Sequence, residues 1–260
     1  MDTFLFDSLS AYTTFFAIAS LILLFYELGY QIAIRRYLKK NIKEPSTLGQ
    51  ISGGLLGMWA FVLAFTFSIV ATQFRLRKDL VMEEANAVGT AFLRADLINP
   101  EDGMAIKKDL ARYIDIRLQV LKSLNVKDAI VQSVEIHRSL WARITSVAVA
   151  NPNTNTSLLT QAINEVIDIH EKRVTAGTRT RIPHSIWVTL FIISFLAILS
   201  IGMQAGFNKS RRLLMIIPLI MAFAALSTLI VDLNNPQSGS IKVDQQPMQS
   251  LQKSIQEEGF

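Results

Sequence analysis

Residues 49–74 read GQISGGLLGMWAFVLAFTFSIVATQF, and residues 75–97 read RLRKDLVMEEANAVGTAFLRADL. The first run is uncharged; the second is charged and amphipathic, and no proline separates them. At about 1.5 Å of rise per residue, the uncharged run is long enough to cross a hydrocarbon core of roughly 30 Å. The charged run can continue the same helix into water. The pair therefore predicts one membrane-spanning helix that leads directly into a soluble domain, and the rest of the chain is placed around it.

The composition agrees. Of 260 residues, 50% are hydrophobic, and the mean hydropathy is +0.33. Charge is confined to blocks between long uncharged runs, which is too uneven for an ordinary soluble domain. The chain has no cysteine, which excludes disulfides, thiolate catalysis and Cys-ligated zinc. The net charge of +5 is read as basic residues at lipid headgroups, not as nucleic-acid binding.

Residues 11–34 form an apolar run with Glu27 and Gln31 near its end, followed by Arg35, Arg36, Lys39, Lys40 and Lys43. It lacks the basic start and small-residue cleavage site of a signal peptide, so it predicts a retained first membrane helix. Glu27 is read as an interfacial carboxylate near Arg35 and Arg36, in preference to a buried ion-pathway group. Pro45 and Ser46 precede the second span. Residues 185–206 and 213–231 supply two more, joined by a basic turn at 208–212, with Pro218 a candidate kink. The expected organisation is a helix pair in 1–74, a helical soluble domain in 75–181, a second pair in 182–233 and a polar tail in 234–260, with weak helical character after Pro247. Within the domain, Pro100 opens a helix carrying Leu110, Ile114, Leu118 and Leu121 at helical spacing. A further helix runs from Asp128 to about Val149. After the turn at 151–155, Thr156 or Ser157 caps the next. No segment alternates with period two, so the fold class is all-α, with four transmembrane helices and no sheet.

The short loops carry more basic residues than the amino terminus. By the positive-inside rule those loops face the cytoplasm, and the domain and both termini face outward. Arg75, Arg77, Lys78, Arg179 and Arg181, on the domain side, argue the other way.

Gly53, Gly54 and Gly57, then Ala60, Ala64, Ser68 and Ala71, give a small-residue stripe suited to close helix approach. Phe61, Phe65 and Ile69 are spaced by four and form a second stripe. That stripe suits a narrow hydrophobic constriction in a pore, or plain packing and lipid contact. Glu83, Glu84, Asn86 and Arg94 form a polar group just beyond the span. They can ring a pore vestibule, or bind neighbouring helices, the reading favoured for Asn86 and Arg94. His137, His170 and His184 match no metal-ligand spacing of known mechanism, so no metal or other cofactor is expected. Phosphate-binding glycine loops, nucleophile elbows and HExxH pairs are all missing, which argues against an enzyme.

From EEANAVGTAFLRADL (83–97) the chain resembles the bacterial bestrophin-like family of membrane proteins. LLGMWAFVLAFTFSIV (55–70), ARYIDIRL (111–118), Leu140-Trp141, INEVIDIHEKR (163–173), RIPHSIW (181–187) and VDQQPMQSLQ (243–252) continue the resemblance in order. More distantly it is similar to bestrophins, which are homopentameric ion channels whose second membrane helix lines the pore with apolar residues four apart. The resemblance implies a multi-pass protein of the bacterial inner membrane, a homo-oligomer and by analogy a pentamer, in contact with membrane lipids and small inorganic ions. It implies a pore lined by Phe61, Phe65 and Ile69. The alternative is a non-conducting scaffold or signalling protein whose helical domain binds a partner. Two departures stand out: no acidic run matches the bestrophin calcium clasp, and bestrophins keep the large domain in the cytoplasm, against the charge-based orientation.

Overall fold

A computed structural model describes residues 10–37, 45–123, 125–211, 213–236 and 239–260. Every regular element among them is helical: α1 (Ala11–Ile32) ending in a π-helical turn (Ala33–Tyr37), α2 (Leu48–Arg94) ending in a 3₁₀ turn (Ala95–Leu97), α3 (Pro100–Ser123), α4 (Val126–Ala150), α5 (Thr154–Thr178), α6 (His184–Phe207), α7 (Leu213–Asn234) and α8 (Gln246–Glu257). Four of these are long and apolar enough to cross a membrane: α1, α2, α6 and α7. The chain is a membrane protein of the all-α class. Lys39, Lys40, Lys43 and Arg212 lie outside the described residues, as do the side chains of Arg36 and Leu121.

The chain divides into two compact units, Met1–Phe74 with Arg181–Lys242, and Arg75–Thr180 with Val243–Phe260. In the first, α1 and α6 approach at backbone distance. A Cβ at Gly29 would stand 2.1 Å from Leu199 O, and one at Gly202 would stand 2.1 Å from Tyr26 O. Only glycine fits either place. Around this seam Phe25 meets Phe195 and Phe191 edge to face, with centroids 5.0 and 5.6 Å apart. Residues 48–74 of α2 pack one line, Trp59, Leu63 and Val70, into this core; Trp59 stacks on Phe223 of α7 at 3.8 Å. Several hydroxyls on the apolar helices are satisfied within their own turns, as for Thr66 on Val62 O (2.7 Å) and Thr72 on Ser68 O (2.9 Å), while those of Ser52 and Thr228 are buried without a hydrogen-bond partner. α7 continues through Pro218.

Glu27 has a partner beyond the two arginines expected near it, of which the Arg36 side chain lies outside the described residues. Its Oε1 lies 3.3 Å from Arg211 of the α6–α7 turn and accepts from Gln31 Nε2 at 3.0 Å. The Arg211 guanidinium also sits 4.9 Å over the Tyr30 ring. The turn at the end of α6 supplies this cation, whereas Arg35 is exposed. After α7, the Asp232 carboxylate accepts backbone N–H groups from Ser240 (2.6 Å) and Ile241 (3.0 Å), which staples the following loop.

In the second unit α3, α4 and α5 surround residues 75–94 of α2. Val88, Ala91, Phe92, Ile106, Leu110, Tyr113, Ile114, Leu140, Ile144, Leu159, Ile163 and Val166 share one core. α3 starts at Pro100 with Glu101 and Asp102 in its first turn, and Asn99 Oδ1 accepts from Asp102 N at 2.9 Å. α5 is capped three or four residues earlier than expected. Asn153 is the N-cap, in a reciprocal box with Thr156, because Asn153 reaches the Thr156 N–H (3.0 Å) and Thr156 Oγ1 accepts from the Asn153 N–H (3.0 Å). Arg77 is buried and donates to Ala176 O (2.9 Å) and Thr180 O (3.1 Å) at the end of α5, where a helix leaves carbonyls unpaired. The polar tail, read as weakly helical after Pro247, forms α8. Met248, Leu251 and Ile255 recur at helical spacing and pack against this core, Pro247 sits in its first turn, and Phe260 meets Phe92 edge to face at 5.3 Å.

Candidate functional site

Two features merit a functional reading, one in each unit. In the first, α2 turns one side to the bundle and the other outward. Trp59, Leu63, Thr66 and Val70 are buried. Gly54, Gly57, Phe61, Phe65, Ser68 and Thr72, on the opposite line, are exposed. Phe61 and Phe65 are 71% and 59% exposed. Ile69 is half-buried, and the reason is helical pitch. Each residue turns the helix by about 100°, so two steps of four carry Ile69 roughly 80° round from Phe61. Ser68 and Thr72 fall on the Phe61 line in its place. A Cβ built on Gly53, Gly54 or Gly57 meets nothing within 4 Å. α2 also exposes Ile51 and Met58, and bulky residues dominate the exposed sides of the other spans: Leu23, Leu24 and Leu28 on α1, Phe191, Ile192 and Leu196 on α6, Leu214, Met215, Ile217 and Met221 on α7.

The second unit separates the residues expected at the vestibule. Glu83 and Asn86 are exposed on α2. Arg94 is half-buried and donates to Leu158 O at 2.8 Å. Glu84 is fully buried, one residue round the helix from Glu83, and this removes it from any water-filled vestibule. It is the centre of a polar cluster drawn from all four helices. Tyr113 of α3 donates its hydroxyl to Glu84 Oε1. Arg173 of α5 pairs with Glu84 Oε2, and Arg117 of α3 places Nε 3.4 Å from Oε1. His170 of α5 sets Nδ1 3.0 Å from the Tyr113 oxygen. Because the Tyr113 proton goes to Glu84, His170 Nδ1 carries the hydrogen of that contact and Nε2 keeps a lone pair. His137 of α4 lies edge to face with His170, with ring centroids 4.7 Å apart. Nε2 of both histidines is buried without a hydrogen-bond partner. Arg173 also donates to Gln245, just before α8, at 3.1 Å.

The electrostatics follow from burial. Burial, with the Arg117 charge adding to it, holds His137 down to about 4 and His170 down to about 3, so both are neutral at pH 7. Burial pushes the Tyr113 phenol upward, against the opposing pull of Arg117. Burial lowers Arg173 to about 10, leaving it charged at neutral pH. Among the described residues no group of three or more His, Cys, Asp or Glu side chains is arranged to hold a metal ion.

Sequence reasoning considered Glu84, His137 and His170 separately and missed Tyr113, Arg117 and Arg173. Their spacing carries a signal: Tyr113 and Arg117 are four apart and His170 and Arg173 three apart, so each pair shares a helix face. The stretches that carry the family resemblance converge here. EEANAVG supplies Glu84, ARYIDIRL supplies Tyr113 and Arg117, INEVIDIHEKR supplies His170 and Arg173, and VDQQP supplies Gln245.

The sequence profile of the bestrophin-like domain matches residues 16–248. No curated protein matches. Among solved structures, a membrane protein crystallised as a point variant superposes with a TM-score of 0.65 at 15% identity, covering 91% of this chain and 97% of that one. A bacterial bestrophin homologue from Klebsiella pneumoniae, also a point variant, gives a TM-score of 0.58 at 17% identity, covering 92% and 96%. At these identities the likeness is one of fold.

Proposed function

Because the chain belongs to the bestrophin-like family, we propose that it is an oligomeric ion channel in which the outward side of α2 lines the path for small inorganic ions. One observation carries this reading. On the exposed side of the α2 span, Gly53, Gly54, Gly57, Ala60, Ala64, Ser68 and Thr72 outnumber the bulky Ile51, Met58, Phe61 and Phe65, whereas α1, α6 and α7 expose mainly leucine, isoleucine, methionine and phenylalanine as lipid-facing helices do. Phe61 and Phe65 form the constriction, with Ile69 at its margin. Glu83 and Asn86 are the polar residues open to a vestibule. Copies of the chain surround the path, a pentamer by analogy with bestrophins, in the bacterial inner membrane. The chemistry is passive conduction, with no enzyme step.

The test joins imaging to flux. Single-particle images of detergent-purified protein are expected to show a closed ring with α2 toward its axis. Reconstituted in liposomes, Phe65→Ala is expected to widen the constriction and raise ion flux severalfold over the parent protein. Sealed liposomes from both proteins, or a ring with Phe61 and Phe65 facing lipid, would remove the channel reading and favour a scaffold whose helical domain binds a partner.

A further inference from the structure

We infer that the His137–His170 pair is an acid-operated release for the helical unit, built so that protonating the pair opens the packing of α2 against α3, α4 and α5. This goes beyond the channel reading and does not depend on it, because the event lies wholly within the second unit.

The geometry carries the inference. Two imidazoles meet edge to face at 4.7 Å, and each holds a buried Nε2 without a hydrogen-bond partner. The His170 tautomer leaves its Nε2 lone pair as the atom that takes a proton. The groups facing the pair are Glu84 from α2, Tyr113 and Arg117 from α3, and Arg173 from α5. The one carboxylate among them is already engaged by two guanidinium groups and the tyrosine hydroxyl, so the cluster is cationic before any histidine is charged. A proton on either ring adds a second excess charge to a site with no free anion among the described residues. Two protons on touching rings repel each other as well. Water relieves this only when the helices part, since neither His170 nor Glu84 has any exposed surface.

The sign is fixed by linkage. Free imidazole takes a proton near pH 6.5, whereas the folded unit holds His137 and His170 down to about 4 and about 3. Between those limits the opened unit binds more protons than the closed one, so stability falls as pH falls. The loss starts near pH 6.5 and continues until the folded rings titrate. From pH 7 to 5.5 the two sites together raise the opening constant about 70-fold. The response therefore lies in mildly acidic conditions, above the range in which ordinary carboxylates protonate.

The experiment is amide hydrogen exchange by mass spectrometry on the full-length, detergent-purified protein between pH 7 and 5, with opening constants corrected for the intrinsic exchange rate. Peptides from α3, α4 and α5 are expected to show a steep rise that approaches two protons taken up per opening at pH 5.5. His137→Gln is expected to remove about half of that slope. Adding His170→Asn, which keeps a donor in the Nδ1 position, is expected to flatten it. Exchange at the imidazole Cε1 position in the unmodified protein reads each ring directly and is expected to place both midpoints below pH 5. A flat opening constant in the parent protein would overturn the inference, as would a steep one that His137→Gln leaves unchanged. Should the double variant not fold, the single variant and the Cε1 measurement decide the matter by the same criteria.

Discussion

Removing the charge from Glu84 tests the centre of the helical unit. Glu84→Gln keeps the side-chain length and leaves an oxygen to accept the Tyr113 hydroxyl, but it leaves Arg117 and Arg173 without a counter-charge. The Glu84 side chain is 0% exposed, and those of Arg117 and Arg173 are 11% and 13% exposed. Deleting one member of a buried ion pair costs about 3–5 kcal/mol, because the remaining charge stays desolvated. The arginines keep a little contact with water, which places the cost at the lower end, about 3 kcal/mol. For a helical unit of this size that loss lowers the melting temperature by roughly 10 °C. Hydrogen exchange on full-length protein reads it locally, as loss of protection in α3 and α5. Combining Glu84→Gln with Arg173→Met isolates the pair, since Arg173 then no longer strands a buried charge. The double variant is expected to be less destabilised than the sum of the singles by at least about 1.5 kcal/mol. A Glu84→Gln protein within about 0.5 kcal/mol of the parent, or strictly additive variants, would refute the cluster as the electrostatic centre of the unit.

Two structural predictions accompany this one. Gly202→Leu places a side chain where even a Cβ lies 2.1 Å from Tyr26 O. It is expected to abolish monodisperse protein in size-exclusion chromatography, while Gly57→Ala, with open space around it, leaves the single chain intact. Met248→Asp buries a carboxylate where Met248 is 0% exposed and is expected to detach α8. Limited proteolysis would then cleave within 243–260 much faster than in the parent, and an unchanged cleavage rate would show that α8 is held by other contacts.

The helices could be read from the chain because their signals are local. Pro100 with Glu101 and Asp102 marks the start of α3, uncharged runs mark the spans, and the missing period-two pattern rules against strands. Where the reading slipped, two local signals competed. Asn153 and Thr156 are both cap formers, and the geometry of the box gives the cap to Asn153. A period of four was carried too far at Ile69, since the pitch of 3.6 moves the third residue off the line. The weakly helical tail gained its helix from tertiary contact. Met248, Leu251 and Ile255 form a narrow stripe that an isolated segment of twelve residues would not hold.

The sequence by itself determined a membrane protein with four apolar spans, an all-helical domain following the second, and a family. The spans and the domain rest on composition and periodicity, and the family on stretches that resemble it in order along the chain. It could not assign Glu83 and Glu84 to opposite environments, because neighbouring residues on a helix point about 100° apart and only packing says which side is covered. Nor could it bring Glu84, Tyr113, His137, His170 and Arg173 together across four helices. Those meetings depend on how helices register against one another, and that register is set by side-chain packing between elements distant in the chain. The tertiary structure therefore decided that Glu84 is an interior charge, and that two histidines far apart in the chain share one buried site.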